Sequence, residues 1–168
     1  MEKIMNNIRT VPNFPKTGIM FKDITPLLAD PQGMQDVIKY FTIRYKGRPI
    51  DKIVGIESRG FIFGAILAYQ LNKPFVIIRK PNKLPAEKKS IEYSLEYGTD
   101  ILEIHKDSIL PGENVVIVDD LLATGGTANA AAQLIEKLGG KVLELAFVIN
   151  LKELKKNLDY PTFSLLDL

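Results

Sequence analysis

Two adjacent carboxylates, Asp119 and Asp120, precede a short glycine and threonine string, Ala123-Thr124-Gly125-Gly126-Thr127. The glycines let the backbone turn tightly and bring its N–H groups close to a ligand. A helix beginning there adds unpaired N–H groups and a positive dipole end, both suited to a phosphate. Thr124 and Thr127 can give hydroxyl hydrogens to the same phosphate, and Thr127 could also cap the helix. A carboxylate pair beside a phosphate would repel it unless the pair faces something else, either sugar hydroxyls or a metal held by several phosphates. A ligand with phosphate at one end and ribose hydroxyls in its middle fits that layout. The GxxxxGK[ST] cradle and the GxGxxG fingerprint are both absent from the chain.

Other residues could share the chemistry. Glu57-Ser58-Arg59-Gly60 stands between an apolar run and a helical pattern, so its N–H groups could hold a second anion or simply cap a helix. Arg79, Lys80 and Lys83 form a basic cluster that reads either as a solvated charge run or as cations for a leaving pyrophosphate. Glu96 lies in YSLEYG with Tyr97, and taken alone it reads as a surface carboxylate. His105, the one histidine, reads as a solvated strand residue.

The elements that must position these groups are legible from periodicity. Val115 to Val118 is an unbroken β-branched run, the mark of a strand covered on both faces, and the carboxylates come where it is expected to end. A helix is predicted from Thr127 to Leu138, with Gly139-Gly140 as its stop and Val142 to Ile149 as the next strand. Upstream, Ile50 to Ile56, Gly60 to Leu71 and Phe75 to Ile78 repeat the strand, helix, strand order. Such alternation predicts an α/β fold, a mainly parallel twisted sheet with helices on both faces. Ligands bind beyond the carboxyl ends of strands in such folds, where both loops of interest would lie.

The flanking segments read differently. Met1 to Thr10 is read as a short helix, and Val11 to Asp23 as a packed loop that Ile24 to Leu28 continues. Asp30-Pro31 opens a helix that Gly47 closes, expected to cover a face of the sheet. Lys80 to Thr99 begins as an exposed basic loop, then alternates Ile91, Tyr93, Leu95 and Tyr97 with polar residues. With a turn at Gly98 and a partner strand Ile101 to His105, this predicts an antiparallel hairpin able to close over a site as a flap. The end, from Leu151, is expected to be a short amphipathic helix and a tail that packs as a strand.

Composition limits the function classes. A chain of 168 residues reads as one domain. Its net charge of +2 is too small to argue for nucleic acid or a membrane as partner. The absence of cysteine excludes disulfides, thiol catalysis and thiolate zinc sites and suits a reducing cytoplasm. One histidine leaves no basis for a His metal cluster or a Ser-His-Asp triad. There is no apolar run long enough to span a bilayer and no signal-peptide core.

With these residues in view, VVIVDDLLATGGT resembles the phosphoribosyl pyrophosphate motif of type I phosphoribosyltransferases. SRGFIFG and YSLEYG resemble the adenine-acting branch of that family, and the likeness runs from about Phe14 to Leu166. It implies the type I phosphoribosyltransferase fold over residues 1–168, with a base-recognition segment at 1–30 and a flap at 80–106. It implies transfer of the 5-phosphoribosyl group from phosphoribosyl pyrophosphate to N9 of adenine, giving AMP and pyrophosphate. By resemblance, Asp119 and Asp120 bind the ribose hydroxyls, and Ala123, Thr124, Gly125, Gly126 and Thr127 anchor the 5′-phosphate. Glu57 and Ser58 hold pyrophosphate, often through a non-proline cis peptide, and Arg59 borders the base, with Arg79, Lys80 and Lys83 nearby. Glu96 stabilises protonation on the purine and Tyr97 shields the ribose. Backbone around Met20 pairs with adenine, and Phe21 and Leu121 border its ring. Lys22 stands where the family often has Arg, Thr17 where it often has Pro, and Asn82 where it often has Gly. The resemblance also implies Mg²⁺ held mainly by pyrophosphate and water, a homodimer, and a cytoplasmic setting. Two alternatives remain open: another purine base as acceptor, or a non-catalytic regulator that binds the donor.

Overall fold

The computed structural model describes residues 1–94, 98–154 and 158–168, and the chain divides into two compact units, Met1–Arg44 and Tyr45–Leu168. The elements of the first are α1 (Glu2–Asn6), β1 (Arg9–Pro12), β2 (Met20–Asp23), α2 (Thr25–Ala29) and most of α3 (Pro31–Tyr45). The second holds β3 (Lys52–Ile56), α4 (Gly60–Leu71), β4 (Phe75–Ile78), β5 (Lys88–Ser94), β6 (Thr99–His105), β7 (Asn114–Leu122), α5 (Gly126–Lys137), β8 (Lys141–Asn150) and β9 (Thr162–Asp167).

In the first unit, the segment expected as a loop is an antiparallel hairpin, with β1 and β2 paired from Arg9↔Asp23 to Pro12↔Met20. Prolines and Gly18 mark the turn between two four-residue strands, too short for periodicity to reveal. Cross-strand polar contacts stabilise the pairing: Arg9 Nε donates to Asp23 at 2.9 Å and Lys22 Nζ to Thr10 Oγ1 at 3.1 Å. Ile24 to Leu28, expected to continue the loop, is instead largely the short helix α2. The expected cap of α3 is present, since the Asp30 carboxylate accepts from the N–H groups of Gln32 and Gly33.

The second unit is built on a five-stranded sheet in the order β4-β3-β7-β8-β9, all of its pairs parallel. Alternation along each strand sends its side chains to opposite faces. One face carries Val54, Ile56, Val115 and Ile117, buried in one cluster with Ala128, Ala131 and Ile135 of α5. On the other face the α4 backbone meets Gly55 and Val118: a Cβ on Gly64 would lie 3.5 Å from the Gly55 Cα. Helices therefore cover both faces, as predicted.

β5 and β6 form the expected hairpin, registered from Lys88↔His105 to Ser94↔Thr99, with Gly98 at φ +98°. The C-terminal tail is the edge strand β9, as expected. The amphipathic helix expected before it is absent among the described residues, where Lys152 to Leu154 make turns. β7 also runs further than expected. It continues through Asp119 and Asp120 to Leu122 because β8 offers partners all the way, Asp119↔Phe147 to Leu122↔Asn150.

Candidate active site

Chain order brings the two loops together. From β3 the chain steps outward to β4, then passes back across β3 to β7 and on to β8 and β9. The order therefore reverses between β3 and β7, and a crevice opens at the carboxyl ends there. A cleft of about 310 Å³ lies at this point, lined by Glu57, Ser58, Arg59, Lys80, Phe147 and the stretch Asp119 to Ala128.

A close approach at Gly60 and a left-handed turn at Gly125 shape the crevice. Gly60 begins α4 directly against the end of β7, where a Cβ would stand 2.6 Å from the Val118 carbonyl oxygen and 2.9 Å from Asp119 Oδ1. Gly125, at φ +92°, occupies the N-cap of α5. Thr127 sits inside the first turn instead of capping it, and α5 has no side-chain cap bond. The glycine takes the cap position because the chain must turn there in a left-handed conformation that suits no β-branched residue.

The carboxylate pair is strongly perturbed. Burial and the neighbouring Asp120 charge push the Asp119 carboxyl well above the ordinary carboxylate range. Burial also pushes Asp120 up, and the Arg59 guanidinium beside it pulls it back. Asp119 Oδ1 accepts from the Asp120 N–H at 2.9 Å. Asp120 is only 4% exposed, and its Oδ2 lies 2.9 Å from Arg59 Nε. That oxygen accepts no well-formed hydrogen bond from the described residues. A buried carboxylate oxygen held by an ion pair alone has room for a further donor.

The basic cluster is split by its partners. Glu57 accepts from Arg79 Nε at 3.2 Å, from the Lys80 N–H at 2.8 Å and from Lys83 Nζ. Burial works against the charged Glu57 side chain, but Lys83, the Lys80 amide and Arg79 outweigh it and hold its carboxyl at about 2. Arg79 and Lys83 are thus bound to Glu57 and are not among the lining residues; Lys80 alone of the three reaches the cleft. Lys80 Nζ pairs with Asp100 and lies 3.2 Å from the Tyr93 hydroxyl. The Glu57-Ser58 peptide is cis, as the family resemblance implies.

The other expected site residues fall as follows. Leu121, Ala123, Thr124, Gly125, Gly126 and Thr127 all line the cleft. Met20, Phe21 and Lys22 are on β2 in the first unit, where Phe21 meets Phe14 edge-on at 5.1 Å. Glu96 and Tyr97 lie outside the described residues. Tyr93 and Asp100, which join Lys80, and Phe147, which faces the cleft from β8, carry no local sequence signal of a place at the site. Phe147 pairs in register with Asp119, a relationship that only strand pairing reveals.

The phosphoribosyl transferase domain model matches residues 23–167. The chain is 57% identical to the adenine phosphoribosyltransferase of Chlorobium phaeovibrioides, over 96% of each chain. Among solved structures, the adenine phosphoribosyltransferase of Thermoanaerobacter pseudethanolicus superposes with a TM-score of 0.96 at 52% identity, over 99% of both chains. The Saccharomyces cerevisiae enzyme of the same name, complexed with an imino-altritol bisphosphate and adenine, gives 0.94 at 43% identity, over 98% of this chain and 97% of that one.

Proposed function

Since the chain belongs to the phosphoribosyltransferase family, we propose that it transfers the 5-phosphoribosyl group from phosphoribosyl pyrophosphate to N9 of adenine, releasing pyrophosphate and AMP in purine salvage. Homologues of this specificity cover nearly the whole chain, and one of them is solved with adenine in place. The observation that carries the reading is the single cleft holding both Asp119-Asp120 and the Thr124 to Thr127 loop. The loop takes the 5′-phosphate on its N–H groups, and the carboxylates accept from the ribose hydroxyls. This adds donors to the Asp120 carboxylate beside its ion pair with Arg59. Arg59, seated on Asp120, borders the base, and Ser58 and Lys80 face the pyrophosphate. The family resemblance gives the backbone at Met20 the pairing with the base and Phe21 the contact with its ring. By the family resemblance, Glu96 stabilises protonation on the purine and Tyr97 shields the ribose. Catalysis comes from holding donor and acceptor in line and from shielding the oxocarbenium-like centre from water.

Mg²⁺ belongs to the same proposal. No group of three or more His, Cys, Asp or Glu suited to a metal occurs among the described residues. Of the three carboxylates lining the cleft, Glu57 is taken up by Arg79, the Lys80 N–H and Lys83, while Asp119 and Asp120 both have raised pKa. Such a site fits an ion that would be held mainly by pyrophosphate and water, with Asp119 and Asp120 as the carboxylates that would help to hold it. The ion would neutralise charge on the departing pyrophosphate.

The reading includes a homodimer, supported by the apolar outer face of α4, where Ile66 is 37% and Tyr69 82% exposed. It also includes a cytoplasmic setting, which a chain without cysteine suits. No helix among the described residues is long and apolar enough to cross a membrane.

The test is a pyrophosphate-release assay with Mg²⁺ and phosphoribosyl pyrophosphate, run in parallel with adenine, hypoxanthine, guanine and orotate. Release with adenine alone is expected. Release with another base would overturn the acceptor assignment, and silence with every base alongside donor binding would leave a regulator.

A further inference from the structure

Tyr93 of β5 stands behind the cleft wall and touches two residues that line it. Its hydroxyl lies 3.2 Å from Lys80 Nζ, 3.2 Å from Thr127 Oγ1 and 3.4 Å from Asp100 Oδ2. Lys80 is ion-paired to Asp100 and lies 5.8 Å from the centre of the Tyr93 ring. The backbone beside Tyr93 is equally close to the phosphate loop, since a Cβ on Gly126 would fall 3.1 Å from the Ser94 carbonyl oxygen.

The hydrogens available fix what each group can do. An ammonium only donates, so the Tyr93 oxygen accepts from Lys80. An ionised Asp100 only accepts, and it already has the Lys80 ammonium and the Ile101 N–H at 2.8 Å. In the structure Thr127 is placed to donate to Tyr93, and Tyr93 to Asp100. In that arrangement the one hydroxyl hydrogen of Thr127 is committed to Tyr93. Two hydroxyls at this distance can exchange roles, because each both donates and accepts.

We propose that Tyr93 is a positioning residue for the 5′-phosphate: when phosphate enters the loop, Tyr93 turns its hydrogen from Asp100 to Thr127, and Thr127 turns its own to the phosphate. This rests on the proposed function, which puts the phosphate on that loop. The reversed chain runs from Lys80 through Tyr93 and Thr127 to the anion with every donor pointing the same way. Each bond then polarises the next, and the bond to the anion is charge-assisted. Asp100 gives up one donor and keeps two.

The variant Tyr93→Phe keeps the ring over Lys80 and removes only the hydroxyl. Ribose 5-phosphate, titrated by calorimetry, should bind roughly three- to tenfold more weakly, the factor that one hydrogen bond corresponds to. KM for the donor should rise more than kcat falls, and KM for adenine should stay put. In a Thr127→Val background, Tyr93→Phe should have no further effect, because the relay is already cut; in a Thr127→Ser background its full effect should return. Unchanged ribose 5-phosphate binding by Tyr93→Phe would overturn the inference, as would losses that add in the Thr127→Val background. If the unaltered protein neither binds ribose 5-phosphate nor turns over the donor, the functional reading falls and this inference with it.

Discussion

Gly60 and Val118 are packed so closely that a single methyl group between them would meet the Val118 carbonyl oxygen at 2.6 Å. The contact joins the start of α4 to the end of β7, and so joins the Glu57 to Arg59 loop to the carboxylate pair. Backbone lies on the far side of the contact, so no flexible side chain can move aside. Gly60→Ala should therefore cost about 1–3 kcal/mol as overpacking and separate the two loops. A thermal melt read beside the pyrophosphate-release assay checks both effects, and an unchanged melting point with full activity would show that the crevice can widen freely.

Glu57 draws three donors onto one carboxylate, two of them cations. Its carboxyl is held at about 2 in the fold against an ordinary 4.5. The folded pKa lies below the unfolded one, so the unfolded chain binds more protons between those values and stability rises with pH across them. Wild type should exceed Glu57→Gln in unfolding free energy above about pH 4.5, with the gap closing as pH falls towards 2. Denaturant titrations at a series of pH values test this; a gap that stays constant with pH would assign the loss to packing.

Asp120 Oδ2 is ion-paired with Arg59 and accepts no well-formed hydrogen bond from the described residues. Asp120→Asn removes the charge proposed to receive the ribose hydroxyls and takes away the carboxylate ion-paired with Arg59. Donor KM should rise roughly tenfold or more, the worth of a hydrogen bond to a charged group. Steady-state kinetics with adenine saturating give the number, and an unaltered KM would place the ribose elsewhere.

Glu96 is assigned to protonation on the purine by family resemblance. Glu96→Ala should lower kcat by roughly a hundredfold or more while donor affinity holds, as for a removed general acid or base. Equal loss in kcat and donor binding would make it a binding residue.

Tyr45 donates to Glu144 Oε2 at 2.7 Å, and Arg48 reaches the same oxygen at 3.2 Å. Glu144 belongs to the early part of β8, away from the carboxyl ends that line the cleft. Tyr45→Phe should cost about 1–3 kcal/mol in stability by leaving a buried carboxylate short of a donor. Its kcat and KM, corrected for folded fraction, should match wild type. A shift in donor KM would link the two ends of the sheet.

Local rules made much of this protein legible in its sequence. The Val115 to Val118 run, the period-two stretch from Ile91, the Asp30 cap and the turns at Gly98 and Gly139 each follow from a few adjacent side chains and the conformations they favour. The same holds for the Thr124 to Thr127 loop, whose glycines and threonines are contiguous. Resemblance added what spacing alone left open, the ribose role of the carboxylates and the base.

What only the tertiary structure decided depends on partners distant in the chain. Asp119 and Asp120 stay within β7 because β8 pairs beyond them, which no local pattern signals. The short strands β1 and β2 exist because they pair with each other, Arg9 against Asp23. Arg79, Lys80 and Lys83 look alike as a basic run, yet Glu57 takes two of them and Tyr93 with Asp100 takes the third. Charge type is written in a sequence; which counter-charge lies within a few ångströms is set by how strands twenty or more residues apart are brought side by side.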